Sequence, residues 1–300
     1  MASLDYARPL TPTGNLRRRR ATDRLMRYGC TFAAIIAVAV LLLFIEAIVQ
    51  RGASVISWSF LTKNPSEAFG FNTPVGGIAN GIIGSAIICA LGAAIAMPIG
   101  VLIALFLSEF ATPRIAGPVR LALDLLYGLP SIVLAIFIYG ALVYNVGQSG
   151  FDASLALAMI MIPLIARTTG ESLSLVPQEL RDASHALGIS RWRTTLGITV
   201  PSALGGIVTG TVLAVARAAG ETAPMLLLSS YAANPVTTGF NPFSGPLNNI
   251  PYDIFNFSEE GGATNIAKSW GAALVLIAFV LVANFAARAL HARSRRMMSR

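Results

Sequence analysis

The chain has 300 residues, 55% hydrophobic and only 12% charged, with mean hydropathy +0.68 and a net charge of +8. A soluble domain carries about a quarter charged residues, so a water-soluble globule is excluded and a polytopic membrane protein is the first reading. The positive charge lies in short clusters between apolar runs rather than on one basic face, which argues against a nucleic-acid surface and points to membrane topology.

Residues 1–27 are polar, with Pro9, Pro12, Gly14 and the run Arg17–Arg20, and show no apolar period. A disordered basic tail is expected there. The apolar run 28–49 is long for a signal peptide and no small-x-small cleavage site follows it, so it reads as an uncleaved first span. Residues 50–76 are mixed. A second span is expected over 77–107, and its glycines at 77, 81, 84, 92 and 100 repeat near one helix face, where another helix can approach closely. Pro98 suggests a kink. The third span is expected over 119–146, with Pro130 inside it. The fourth, 153–168, is short for a bilayer and should extend into the polar residues that follow. A charged loop, 169–201, leads to a fifth span over 202–228. A polar loop rich in Asn, Pro and Gly covers 229–265, the sixth span is 266–290, and a basic tail ends the chain at 291–300. The membrane domain is therefore 28–290. Cys30 and Cys89 lie in or beside apolar runs and should pack as small hydrophobes. His185 and His291 stand too far apart to suggest a metal, and no cofactor is implied.

Counting Lys and Arg orients these spans. Eighteen lie in the N-terminal tail, at Arg114 and Arg120, at Arg167, Arg181, Arg191 and Arg193, and from Arg288 onward, against three (Arg51, Lys63, Lys268) on the alternate side. Cytoplasmic loops collect such residues. The expectation is an all-α membrane protein with six transmembrane helices in lipid and both termini cytoplasmic.

The charged loop has the makings of a cytoplasmic projection. Pro177 can start a helix, and "QELRDASHAL" continues it with acids early. Gly188 can close it, and Ser190 can cap a second short helix that ends at Pro201. Such a helix-turn-helix can dock in a partner's groove, or lie at the interface as an amphipathic connector anchored by Trp192.

The stretch "DASHALGISRWRTTLGITVP" resembles the EAA loop of bacterial ABC-importer permeases. Asp182, Ala183 and Ser184 stand where Glu-Ala-Ala would, and Gly188, Ile198 and Pro201 follow at the family's spacing. It departs by Asp for Glu, Ser for the second Ala, and Val200 for Leu. "ARAAGETAPML" and "ARTTGESLSLVPQELRDASHALG" are similar to the permeases of phosphate importers, the PstA type. The resemblance implies a type I ABC-importer permease fold and a coupling helix, formed by these six residues, that inserts into a cytoplasmic ATPase. It also implies PstC-like, PstB-like and PstS-like partners, namely a second permease, an ATPase dimer and an external phosphate-binding protein. No GxxxxGK[ST] motif occurs in the chain, so the energy must come from a partner and the chain is a transport subunit rather than an enzyme.

Two charges interrupt the fifth span. Arg217 lies about 15 residues into it, roughly 23 Å along a helix, where a charge costs at least ~2.5–3.5 kcal/mol. Glu221 is four residues on, so the two can pair on one helix face. They form either an internal ion pair that joins helices, or a weak phosphate site in which the guanidinium fork binds oxyanion oxygens and Glu221 keeps that site from holding too tightly. Thr222 and Pro224 follow, and a bend or break is expected there. Arg167 and Glu171 repeat the i, i+4 spacing, either as an exposed pair or at the inner mouth of the pathway. The competing readings are a sulfate or molybdate permease, a secondary transporter or channel, and a membrane enzyme; the last two lack, respectively, an inverted repeat and a cluster of reactive groups.

Overall fold

The computed structural model describes residues 16–64, 76–230 and 240–298, with the side chains of 16, 17, 286–288 and 290–298 left aside. The described residues are helical nearly throughout. In chain order the helices are α1 (Leu16–Gly52), α2 (Trp58–Thr62), α3 (Ala79–Leu105), α4 (Pro113–Gly128), α5 (Ser131–Ile138), α6 (Tyr144–Val146), α7 (Gly150–Ser174), α8 (Gln178–Ala186), α9 (Arg191–Thr194), α10 (Val200–Ala218), α11 (Ala223–Leu228), α12 (Ile250–Glu260) and α13 (Ala263–Met298). Five of them, some lengthened by adjoining turns, are long and apolar enough to cross a membrane; α4 and α5–α6 make a sixth crossing if that bent pair is one span.

The chain divides into two compact units, Met1–Gln50 and Arg51–Arg300. In the first, α1 begins well before the apolar run. The basic stretch expected to be disordered is helical from Leu16. Arg is a good helix former, and Arg27 pairs with Asp23 at 3.0 Å one turn back. At the other terminus α13 likewise continues to Met298, past the apolar boundary expected at 290.

In the second unit α3 lies along α7, and α7 along α10. The glycine stripe does what its spacing suggests. A Cβ on Gly92 would meet the Ser154 carbonyl at 3.0 Å and Met161 Cε at 3.1 Å, and one on Gly100 would meet Ile165 Cγ2 at 2.9 Å. The partner on α7 advances with the position on α3, from Ser154–Met161 opposite Gly92 to Ile165 opposite Gly100, so α3 and α7 run parallel. Gly81 and Gly84 face Asp253 and the Asn248 carbonyl, and Gly77 faces the carbonyls of Phe60 and Lys63. Small residues let backbones approach where the lipid offers no hydrophobic drive, and the buried alanines 96, 153, 156 and 158 fill this seam. Gly206 and Gly210 of α10 press on Ser172 and Thr168 of α7, which makes α10 antiparallel to it. Three apolar clusters follow one another along the bundle, around Phe60 and Ile250, around Leu157 and Met161, and around Leu173 and Ile207.

Two expected spans are interrupted. Between 119 and 146 the chain forms not one kinked helix but two helices inclined at 98°. Leu129 before Pro130 is extended (φ −67°, ψ 137°), because the proline ring crowds a helical predecessor. The fifth span is likewise divided, with α10 ending at Ala218 and α11 starting at Ala223. Pro224 sits in the first turn of α11, where its missing N–H is not needed. The 229–265 loop also contains a helix, α12. Asn249 caps it by accepting from Tyr252 N at 2.9 Å, and Pro251 and Asp253 occupy its first turn.

Candidate functional site

The two interruptions meet. Arg217, in the last turn of α10, donates from Nη1 to Tyr127 Oη at 3.0 Å, and its guanidinium carbon lies 5.0 Å from the Tyr127 ring centroid. Tyr127 is in the last turn of α4, just before the Leu129–Pro130 break, and α11 packs against α5 beyond the two breaks. The aromatic face and hydroxyl together offset part of the burden of the charge, about 1 kcal/mol for the cation–π contact.

The expected Arg217–Glu221 ion pair does not form. The i, i+4 geometry needs an unbroken helix. Here α10 ends after Ala218, and the turn is closed by Gly220 N on the Arg217 carbonyl (3.2 Å) and Glu221 N on the Ala218 carbonyl (3.1 Å). Glu221 and Thr222 are half-buried in that break, while Arg217 is exposed and has no carboxylate partner among the described residues.

Arg167 and Glu171 do pair, Nε to Oε1 at 3.4 Å, with both side chains about two-thirds exposed (65% and 67%). Measured from the Gly210–Thr168 contact, Arg217 lies about 10.5 Å further along the shared axis, about 9 Å beyond Arg167. The pairs are thus at different depths and do not touch. An exposed pair of this kind contributes ~0.3–0.5 kcal/mol.

The 169–201 segment folds as a projection. Gly188 has φ +75°, a conformation that favours glycine. Its N–H reaches the His185 carbonyl (2.9 Å), and Ile189 N reaches the Ser184 carbonyl (3.2 Å), the paired bonds of a Schellman cap. Asp182 and Ala183 are exposed on α8, and Asp182 accepts from Gln178 Nε2 at 3.2 Å. Ser184 differs from them. It is buried, and its hydroxyl lies 2.7 Å from Thr194 Oγ1, tying α8 to α9. Beside them stands Leu187, 80% exposed, an apolar side chain the sequence pattern did not single out. The second helix does not end at Pro201. It passes through one wide i→i+5 turn, Val200 N to the Thr195 carbonyl, straight into α10. Pro201 is exposed in the first turn of α10, and Ile198 is half-buried in the wide turn.

At the opposite end of α3, Asp253 is buried. Its Oδ1 accepts from Asn248 Nδ2 at 2.8 Å, and Oδ2 has no hydrogen-bond partner. Burial pushes its carboxyl up to about 8, against a lowering contribution from Asn248. An acid raised this way is protonated in the fold at pH values where the unfolded chain is ionised. The penalty is absent below about pH 4, grows toward pH 8, and is constant above. Asp253→Asn should therefore raise the melting temperature of the detergent-solubilised protein at pH 8 by about 3 °C or more, with little change at pH 4. Equal shifts at both pH values would contradict a buried neutral acid.

An all-helical chain with a parallel α3–α7 seam, broken helices meeting at mid-bundle, and a helix-turn-helix projection leading into a long apolar helix has the type I ABC-importer permease fold. A bacterial alginate ABC transporter, solved in complex with a pentasaccharide-bound periplasmic protein, matches with TM-score 0.61, covering 91% of this chain and 97% of that one at 15% identity. The inward-facing MetNI methionine ABC transporter matches at TM-score 0.53 and 18% identity over 71% of this chain and 92% of its own. The chain belongs to the family described as the binding-protein-dependent transport system inner membrane component, matched over residues 96–296, and within it to the PstA-type permeases. Its relatives include the phosphate transport system permease protein PstA 1 of Mycobacterium tuberculosis, 37% identical over 71% of this chain and 69% of the relative. The PstA of Pasteurella multocida is 34% identical over 90% of this chain and 94% of its own.

Proposed function

We propose that this chain is the permease subunit of an ATP-driven phosphate importer in the bacterial inner membrane, where it forms half of the translocation pathway. The observation that carries the reading is kinship with phosphate transport permeases across as much as 90% of the chain. The exposed guanidinium of Arg217, at the junction of two broken helices, adds chemistry suited to an oxyanion. The same kinship favours phosphate over sulfate or molybdate, and a secondary transporter or channel has no use for the α8–α9 projection.

In this reading the Lys and Arg bias places both termini and α8–α9 in the cytoplasm. Asp182, Ala183 and Leu187 face a PstB-like ATPase. Ser184 and Gly188 shape the projection, and Ile198 and Pro201 join it to α10. A PstC-like permease supplies the other half of the pathway. A PstS-like binding protein delivers phosphate to the outer loops, 50–76 and 229–265, of which residues 65–75 and 231–239 lie outside the described residues. Arg217 offers a transient site for phosphate. Glu221 and Thr222 line the same break, and Arg167 and Glu171 stand nearer the inner mouth.

Co-purification from cells expressing the full transporter, followed by an ATPase assay, tests this. Phosphate-loaded binding protein should stimulate hydrolysis. Stimulation by sulfate-loaded protein alone would reassign the substrate, and no associated ATPase would end the reading. The double variant Asp182→Lys/Leu187→Asp, on exposed positions, should reduce ATPase co-purification about tenfold or more while the permease still folds. A hot-spot pair of this kind contributes ~2 kcal/mol or more.

A further inference from the structure

Arg181 joins three elements. It lies on α8, and its Nη2 is 3.2 Å from Oε1 of Glu109, in the wide i→i+5 turn that ends α3. The same Nη2 donates to the Leu173 carbonyl, in the last turn of α7, at 2.8 Å. Nη1 donates to Gln178 Oε1 at 3.4 Å. The Arg181 and Glu109 side chains are 15% and 14% exposed, against 65% and 67% for Arg167 and Glu171. A sheltered pair is screened far less than a surface pair. A second contact lies beside it, where the Trp192 ring of α9 is 5.9 Å from that of Phe110, the residue after Glu109.

Two short covalent linkers lead out of α8. Toward α7 the chain passes through Leu175–Pro177, with Pro177 extended (φ −55°, ψ 137°). Toward α9 it passes through the Gly188–Ser190 turn. The second linker is closed by the Gly188–His185 and Ile189–Ser184 hydrogen bonds, so a push on α8 would be taken up by rotation within Leu175–Pro177. The Glu109–Arg181 pair, with the Arg181–Leu173 bond, bypasses that linker, because it fixes α8 directly to the ends of α3 and α7, the two helices that form the central seam. The Ser184–Thr194 hydrogen bond makes α9 move with α8.

We infer that Glu109 and Arg181 are positioning residues that carry movement of the α8–α9 projection into α3 and α7, so that ATP hydrolysis is coupled to opening of the pathway. This rests on the reading of α8 as the ATPase dock. Mobility at the Leu175–Pro177 linker alone would leave hydrolysis free to run without transport.

The test uses the complete transporter in liposomes, with phosphate-loaded binding protein and ATP, reading phosphate uptake and ATP hydrolysis in the same vesicles. Glu109→Gln should retain the ATPase subunit at wild-type stoichiometry, lower uptake about tenfold, and raise the ATP spent per phosphate to a similar degree. Arg181→Gln should be at least as impaired, and the double variant no worse than Arg181→Gln, since both remove one link. Where Glu109→Gln fails to assemble, Glu109→Asp, which keeps the charge, is read instead, and a coupling ratio below wild type is the expected result. Wild-type coupling in the assembled Glu109 variant, or losses that multiply in the double variant, would overturn the inference. The Asp182→Lys/Leu187→Asp variant separates the two readings. If it keeps its ATPase the dock is elsewhere; if it loses the ATPase while Glu109→Gln couples normally, only the transmission pair is wrong.

Discussion

Arg217→Gln is expected to lower phosphate uptake about 100-fold, equivalent to ~2.7 kcal/mol, while the complex assembles and binds ATP normally. Glutamine keeps a hydrogen-bonding amide, but it is two bonds shorter and lacks the charge and the planar fork that matches two oxyanion oxygens. The change should not disturb packing, because Arg217 is exposed and its side chain hydrogen-bonds to Tyr127 alone among the described residues. Tyr127→Phe retains the ring under the guanidinium and removes the hydroxyl at 3.0 Å, so a loss of about threefold to tenfold is expected, near 1 kcal/mol. Glu221→Gln should matter much less than Arg217→Gln, because the break at 219–222 separates the two charges. ATP-driven uptake measured in proteoliposomes with binding protein at several phosphate concentrations decides the matter. Wild-type uptake by Arg217→Gln would leave the pair at the helix breaks with a packing role only.

The second large effect is mechanical. Gly84→Val should prevent normal docking of α3 against the 247–250 segment, because even a Cβ there would overlap the Asn248 carbonyl. That carbonyl is backbone, which cannot swing aside as a side-chain tip can. Overpacking costs about 1–3 kcal/mol or more, so the melting temperature in detergent should fall by about 6 °C or more. Gly170→Ala, inside α7, supplies the contrast. Nothing lies within 4 Å of its added Cβ, and alanine gains about 0.5–1 kcal/mol over glycine inside a helix. A similar loss from both variants would mean that the close approach at Gly84 is not what makes its substitution costly.

Much of the site was legible from local pattern because local forces decide it. Gly188 had to be small and left-handed to close α8, and its φ of +75° follows from that need. The spacing of Gly92 and Gly100 marked the α3 seam, since 3.6-residue geometry stacks them on one face. The Asn249 cap with Pro251 and Asp253 behind it is an equally local signal for α12, and it was legible in the same terms, though the loop composition obscured it. By contrast, the i, i+4 rule applied to Arg217 and Glu221 assumed a helix that the turn at Gly220 ends.

By itself the sequence determined that this protein lives in a membrane, how its apolar runs are ordered, and where its helices can be capped or closely approached. Those properties depend on composition and on neighbours within a turn or two. Only the tertiary structure decided that Arg217 rests on Tyr127, 90 residues away, that the chain bends by 98° beside that tyrosine, and that Glu109 receives Arg181. Each of these depends on which helices lie side by side and in which direction. That is settled by the summed packing of whole faces, and no short window of residues contains it.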